Sequence, residues 1–142
     1  MKVKYILFLA ILVLLNACSS TKKTDKEEKL DIQISPTGLK YLDMTPGTGQ
    51  IPKPGQTVTV HQIVWDSQGN VLENTYKNGF PFEFIIGREE TIDGLEEGIL
   101  TMKVGGKRKL FVPPELGFGR RAVRNIPKNT DLVIEVELLE VK

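Results

Sequence analysis

The sequence predicts an α+β fold in which an antiparallel sheet of five or six strands wraps over one short helix. Residues 57–65 and 132–141 alternate between apolar and polar side chains, as strands with one buried face do. Residues 92–102 instead carry apolar side chains three and four positions apart, which is the period of a helix. Short turns between these stretches and a single helical pattern indicate one mainly antiparallel sheet.

The first predicted strand contains few apolar residues, and the second has a clear alternation of apolar and polar side chains. Residues 38–42 can open the sheet, and a region rich in Gly and Pro separates them from the strand at residues 57–65. One face of that strand consists of valines except for Gln62. A buried amide needs a hydrogen-bond partner or costs free energy, so Gln62 is either a satisfied sheet glutamine or a residue that lines a pocket.

The later elements complete the sheet around the helix. The helix is expected to begin near Asp93, with Glu96 three residues further on, and to end at Gly105 and Gly106. Further strands are predicted at residues 71–75, 80–86, 107–112 and 132–141.

The N-terminus has the pattern of an export signal. Lys2 and Lys4 precede an apolar run at residues 5–15, which is shorter than the roughly 20 residues needed to cross a bilayer. We therefore expect residues 1–17 to be a signal peptide. Cys18 comes directly after, in a context that resembles the lipobox of bacterial lipoproteins, which implies cleavage before Cys18 and its lipidation. The alternative is an unmodified cysteine in a cleaved signal.

Composition sets limits on the chain after Cys18. The next eleven residues, 19–29, contain no hydrophobe, so residues 18–35 are expected to be the lipidated N-terminus and a flexible tether, and residues 36–142 the domain. Loss of Lys2 and Lys4 leaves 17 of the 19 basic residues against 18 acidic ones, a net charge of −1. A near-neutral domain argues against nucleic acid as a partner. One cysteine allows neither an internal disulfide nor a cysteine metal cluster, and no metal is expected.

The residues leave few kinds of catalysis open. The single histidine, His61, and the single cysteine stand in no pattern typical of nucleophilic or metal catalysis. An enzyme of this composition therefore needs a reaction without a nucleophile. Rotation about an X-Pro peptide bond is such a reaction, because its barrier of roughly 18–20 kcal/mol comes from amide resonance. An apolar pocket with a few hydrogen bonds that favour the twisted amide can lower that barrier.

Several motifs occur in an order that carries a family resemblance. They are Pro81-Phe82-Glu83-Phe84, Ile92-Asp93-Gly94-Leu95-Glu96-Glu97-Gly98, Pro113-Pro114-Glu115-Leu116-Gly117-Phe118-Gly119, Ile126-Pro127 and Leu132-Val133-Ile134-Glu135-Val136-Glu137-Leu138. Over residues 39–142 the chain resembles the FKBP-type peptidyl-prolyl isomerases. The resemblance implies a bent antiparallel sheet around a short helix, proline-containing polypeptides as substrates, and no cofactor. With the lipobox and tether it is similar to envelope-anchored FKBP lipoproteins, including those associated with gliding motility.

The resemblance also implies the site residues. It assigns catalytic positions to Glu73, Phe82, Ile92 and Phe118, and the substrate pocket to Gln62, Leu72, Thr91, Leu95, Ile126 and Ile134. Ile92 would offer its backbone N–H to the substrate carbonyl, and Leu95 would form the pocket floor. Glu73 falls where the family usually has an aspartate near the twisted carbonyl. The alternative role for Leu72, Leu95, Phe82 and Ile134 is core packing.

Several of these positions differ from the family's usual residues. Gln62 and Phe118 replace tyrosines, Leu95 replaces a tryptophan, and Leu72 and Ile134 replace phenylalanines. Smaller side chains bury less area, at about 25 cal/mol per Å², and so hold a prolyl ring less firmly. Two functions are therefore open: a monomeric isomerase that assists folding of cell-envelope proteins, or an FKBP-fold chaperone or binding module with weak or no isomerase activity. The expected location is the bacterial cell envelope, anchored by lipid to the outer membrane on its periplasmic side.

Overall fold

Seven strands form one antiparallel sheet in residues 31–142, the part of the chain that this computed structural model describes. The strands are β1 (Gln33–Ile34), β2 (Lys40–Thr45), β3 (Thr57–Asp66), β4 (Val71–Asn74), β5 (Phe82–Ile85), β6 (Lys107–Val112) and β7 (Leu132–Val141). Helix α1 (Thr75–Asn78) is a single turn, α2 (Asp93–Leu100) is the main helix, and a 3-10 turn spans Pro114–Leu116. The predicted signal peptide, Cys18 and the tether up to residue 30 lie outside the described residues.

The long strand β3 holds the sheet together by pairing with three neighbours. In spatial order the strands run β1-β2-β6-β7-β3-β4, and β5 also pairs with β3. β7 runs beside β3 along nearly its whole length, whereas β5 pairs with its first half and β4 with its second half. The pairing register along β3 shifts twice: after Thr59, where Leu139 is an extra residue in β7, and after Val64, where Leu72 is an extra residue in β4. Such bulges bend a strand, which lets the sheet curve over α2.

Helix α2 packs closely on the sheet because two glycines face it. Leu95 and Ile99 are fully buried on this side of the helix. A Cβ added at Gly94 would lie 2.6 Å from Val112, and one added at Gly98 would lie 2.7 Å from Leu110. The absence of side chains at both positions therefore sets the short distance between the helix and β6. The same buried core also contains Leu39, Val58, Val60, Phe84, Ile86, Met102, Leu132, Ile134, Val136 and Leu138.

The predicted α+β class and the sheet wrapped around one short helix are confirmed. The sheet has seven strands rather than the five or six expected. The additional strand is the two-residue β1, which lies in the range predicted as tether and pairs with β2. The strand expected at residues 71–75 ends at Asn74, whose side chain accepts a hydrogen bond from the Lys77 N–H and so caps α1. Glu96 does not cap α2, since its carboxylate accepts from the Gly87 N–H at 3.0 Å.

A buried arginine joins α2 to the sheet. Arg108 is 4% exposed, and its guanidinium donates to both carboxylate oxygens of Asp43, at 2.7 and 3.0 Å. A further nitrogen donates to the Gly98 carbonyl at 2.7 Å and to the Thr101 hydroxyl at 2.6 Å. The guanidinium also lies 4.3 Å from the ring centre of Tyr41. Strand β6 therefore contacts both β2 and the end of α2 through one satisfied cation.

Tyr76 and Glu137 form a pair that should make stability depend on pH. The Tyr76 hydroxyl donates to Glu137 Oε2 at 2.6 Å, and Lys107 lies 3.2 Å from the same oxygen. The Tyr76 hydrogen bond, with help from Lys107, lowers the pKa of Glu137, while desolvation followed by Glu137 raises the pKa of Tyr76. A lowered carboxyl pKa contributes stability that is present above the unfolded value of about 4.3 and is lost as pH falls through the folded value.

We expect Tyr76→Phe to unfold more easily than wild type at pH 7 and about equally at pH 3. The loss at pH 7 should be about 0.5–1 kcal/mol, a discounted figure because solvent reaches both side chains. Urea unfolding of the two proteins at both pH values measures it. Tyr76 also stacks on His61 with ring centres 4.4 Å apart, and phenylalanine keeps that contact. A difference that persists unchanged at pH 3 would contradict the linkage to Glu137.

Candidate active site

A groove of about 1040 Å³ opens where β3 and β4, the start of α2 and the loop after the 3-10 turn meet. Its lining comes from three stretches of chain, within residues 62–78, 89–95 and 117–134. The floor is apolar, because Leu95 and Ile134 are fully buried and Leu132 and Ile126 lie beside them. A groove with an apolar floor and a few polar groups at its edge is the usual form of a binding site.

The structure brings nine of the ten predicted site residues to this groove. They are Gln62, Leu72, Glu73, Thr91, Ile92, Leu95, Phe118, Ile126 and Ile134. The tenth, Phe82, does not line it. Phe82 is half-buried in β5 and stacks on Phe84, with ring centres 5.2 Å apart, so it packs against the core. The roles assigned to these residues stay predictions.

One wall of the groove carries an amide paired with a carboxylate. Gln62 is 4% exposed, and its Nε2 donates to Glu73 Oε2 at 3.1 Å. The opposite end of the same amide, Oε1, is buried and has no hydrogen-bond partner among residues 31–142. The two residues meet because β3 pairs with β4 in the register that sets Val64 opposite Glu73. A buried amide is thus held beside the apolar side chains of Val64 and Ile134, which also line the groove.

The start of α2 brings a backbone donor to the groove. Ile92 is the residue before the first turn of α2, in extended backbone with φ −78° and ψ 149°. Its carbonyl accepts from the N–H groups of Leu95 and Glu96, while its own N–H makes no hydrogen bond within the described part of the chain. A helix start leaves its first N–H groups without intrahelical partners, so this donor is open to a ligand carbonyl.

Charged residues that were not predicted as site residues form the rim. Basic side chains come from Lys77, Arg121 and Arg124, and acidic ones come from Glu89, Glu90 and Asp93. Glu89 and Arg124 have positive φ values of 55° and 52°, a conformation that non-glycine residues adopt rarely and that no sequence pattern here signals. Two apolar lining residues, Val64 and Leu132, could have been found, because each stands two positions from a predicted pocket residue on the same strand face.

Metal ligands and membrane spans are both missing from residues 31–142. No group of His, Cys, Asp or Glu side chains in this range is arranged to hold a metal ion. None of its helices combines the length and the apolar character that crossing a membrane requires.

The sequence matches known proteins across the domain. The model of the FKBP-type peptidyl-prolyl cis-trans isomerase family matches residues 48–139. FkpA, an FKBP-type peptidyl-prolyl cis-trans isomerase of Escherichia coli K12, is 40% identical over 111 residues, which are 78% of this chain and 40% of FkpA. FK506-binding protein 1 of Dictyostelium discoideum is 40% identical over 106 residues, which are 74% of this chain and 99% of that protein. The chain thus spans about two fifths of the length of FkpA and nearly all of the Dictyostelium protein.

Solved structures agree with the sequence matches. The crystal structure of FkpA from Escherichia coli superposes with a TM-score of 0.74 at 40% identity, over 78% of this chain and 51% of that one. AtFKBP13 superposes with a TM-score of 0.73 at 33% identity, over 78% of this chain and 98% of that one. The predicted family resemblance is confirmed by both kinds of match. This chain belongs to the family of FKBP-type peptidyl-prolyl cis-trans isomerases.

Proposed function

We propose that the domain catalyses cis-trans rotation about X-Pro bonds in polypeptides of the bacterial cell envelope. The observation that carries the proposal is the Ile92 N–H, a donor without a partner in residues 31–142, at a groove that Leu95 also lines. Substrates of this family contain proline, and a prolyl ring fits an apolar floor. The donor then holds a substrate carbonyl other than that of the rotating amide, and so places the X-Pro bond over Leu95.

Rotation becomes faster when the groove favours the twisted amide over the planar one. Planar resonance places negative charge on the carbonyl oxygen, and that charge is lost as the bond twists. The half-buried walls formed by Leu72 and Phe118 keep water from solvating the planar carbonyl. The carboxylate of Glu73, held at the groove by Gln62, further disfavours a negative oxygen beside it. Each effect raises the free energy of the planar state relative to that of the twisted transition state.

The location is inferred from the N-terminus. A signal peptide at residues 1–17 and a lipid on Cys18 would hold the domain at a membrane, with the tether giving it reach. We place the protein in the cell envelope, anchored to the outer membrane on its periplasmic side. There a monomeric domain would meet newly exported chains whose X-Pro bonds are still isomerising.

The isomerase proposal is tested with residues 31–142, which contain the whole sheet and its core. Catalysis of a proline peptide is followed by a protease-coupled assay or by NMR exchange. We expect a rate above that of buffer, and a loss of about tenfold in kcat/KM for Phe118→Ala, which truncates a groove wall. Phe80→Ala is the matched control, because Phe80 is 78% exposed and does not line the groove. A folded protein at the buffer rate would reject the proposal.

A second function, that of a chaperone or binding module with weak or no isomerase activity, is favoured by the floor of the groove. Leu95 and Ile134 are aliphatic, so they present less surface to a prolyl ring than aromatic rings would. Such a module should suppress aggregation of an unfolded protein even when Phe118→Ala has removed isomerisation. If the substitution removes both activities together, one site serves both and the second function fails.

A further inference from the structure

The Gln62 side chain contains a buried oxygen that accepts no hydrogen bond from the described residues. Gln62 lines the groove, yet its Oε1 has no hydrogen-bond partner within residues 31–142. Buried acceptors are rarely left unpaired, because they lose their bonds to water without replacement. The other unpaired buried side-chain oxygen in this range, on Glu96, does not line the groove. Among these two oxygens, the one on Gln62 therefore belongs to a residue that lines the groove.

The neighbour of Gln62 fixes which end of the amide is the oxygen. Glu73 Oε2 lies 3.1 Å from the terminal nitrogen, and a carboxylate accepts hydrogen bonds but does not donate them. The amide must therefore turn its NH₂ toward Glu73 and its oxygen away. Any partner for that oxygen has to be a donor.

The backbone of Gln62 is held from both sides by one hydroxyl. Thr75 Oγ1, itself buried, accepts from the Gln62 N–H at 2.8 Å and donates to the Gln62 carbonyl at 3.2 Å. The His61 Nδ1 lies 2.9 Å from Thr75 Oγ1. These bonds restrain the backbone, and within the side chain the terminal amide torsion is soft. A small rotation can thus turn Oε1 toward a group in the groove while the bond to Glu73 is kept.

We propose that Gln62 Oε1 accepts a hydrogen bond from an N–H or O–H group of the substrate beside the prolyl ring, and that the groove therefore prefers substrates with a donor there. This inference rests on the proposed function. The prolyl nitrogen carries no hydrogen, so the donor belongs to a flanking group. It is either the side chain of the residue before proline or the backbone N–H of the residue after it.

The preference arises because an apolar substrate leaves the oxygen unpaired. A site with a buried polar group rejects an analogue that lacks the matching group more strongly than an apolar pocket rejects an added hydroxyl. Gln62 supplies the acceptor and the Ile92 N–H supplies a donor, and both residues line the groove. The groove is then matched to a peptide that offers one carbonyl and one donor around its proline.

The test uses two pairs of peptides that differ by one donor. In the first pair the residue before proline is threonine or valine, which have the same shape. In the second pair the linkage after proline is an amide or an ester, which removes only the N–H. Binding to ¹⁵N-labelled residues 31–142 is measured by NMR titration, and peptide isomerisation by exchange spectroscopy in the same samples. Wild type should bind the donor-bearing member of one pair about five- to tenfold more tightly.

Two variants show whether Gln62 causes the preference. Gln62→Met keeps the length of the side chain and removes the amide, so the preference should fall to within about twofold. Glu73→Gln alters an exposed residue and leaves the core untouched, but it frees the Gln62 amide to turn round, so the preference should weaken. If both folded variants keep the wild-type preference, or wild type shows none in either pair, the inference is wrong.

The outcomes separate this inference from the proposed function. If Gln62→Met loses the wild-type preference for threonine over valine, the donor is the side chain before proline. If it loses the preference for the amide over the ester, the donor is the backbone N–H after proline. If wild type binds and accelerates both members of each pair equally, the isomerase proposal stands and the role of Gln62 is rejected. A Gln62-dependent binding preference without any acceleration supports the role of Gln62 and rejects the isomerase. No binding of any peptide rejects both.

Discussion

Ile92→Pro should lower kcat/KM for X-Pro isomerisation by roughly ten- to a hundredfold while the domain stays folded. Proline at this position removes one hydrogen atom that matters, the backbone N–H proposed to hold the substrate carbonyl. The backbone already suits proline, since φ at Ile92 is −78° and proline requires about −65°. No hydrogen bond within residues 31–142 is lost, because the N–H makes none there. The substitution therefore acts on the site and spares the sheet.

Ile92→Ala is the matched control, because it keeps the N–H and shortens the side chain. Ile92 is partly buried against the core, so both variants lose part of that packing. The difference in kcat/KM between them isolates the hydrogen bond. It should appear with folded protein of the same circular dichroism spectrum and the same response to urea. Equal rates for the proline and alanine variants would remove the N–H from the mechanism and leave apolar burial as its main source.

Much of the fold could be predicted because alternation reports local burial. The strands at residues 107–112 and 132–141 have the predicted bounds, and the strand predicted at 57–65 extends one residue further. The elements that were missed lack such a pattern. Strand β1 has two residues, both exposed, and is ordered by pairing with β2. Helix α1 is a single turn that depends on the Asn74 cap.

The site was less predictable because it depends on contacts between distant parts of the chain. Alternation assigns Phe82 and Phe84 to one strand face, but it does not reveal that Phe82 stacks on Phe84 away from the groove. Both alternatives for Gln62 hold in part, since its nitrogen is satisfied by Glu73 and its side chain also lines the groove. That outcome depends on the register between β3 and β4, which the sequence of either strand alone does not specify.

The largest loss of stability should come from Gly47→Ala, far from the groove. A Cβ at Gly47 would lie 2.2 Å from the Lys103 carbonyl oxygen, 2.6 Å from that of Val104 and 2.7 Å from the Gly106 nitrogen. All three are backbone atoms, so no side-chain rotation can relieve the contact. The backbones of two segments must separate instead. We expect the free energy of unfolding to fall by about 3 kcal/mol or more.

The contact matters because the segment around Gly47 is tied to the turn that leads into β6. The N–H groups of Thr48 and Gly49 both donate to the Val104 carbonyl, at 3.2 and 3.0 Å, and the Val104 N–H donates to the Gln50 carbonyl at 3.0 Å. The same turn is joined to β7, since the Gly105 N–H donates to the Leu138 carbonyl at 2.8 Å. A displacement at Gly47 is therefore passed to hydrogen bonds on both sides of the turn.

Gly69→Ala separates this steric effect from the general cost of replacing glycine. Gly69 has φ of 85° and no heavy atom within 4 Å of an added Cβ, so alanine there should cost only the left-handed backbone penalty of about 1–2 kcal/mol. Urea unfolding followed by the fluorescence of Trp65, the single tryptophan, compares the two variants with wild type. Equal losses would mean that the segment at Gly47 yields readily to an added methyl group. We expect a larger loss of stability at Gly47 and an unchanged kcat/KM per folded molecule. That result would show that this loop stabilises the sheet and does not contribute to the groove.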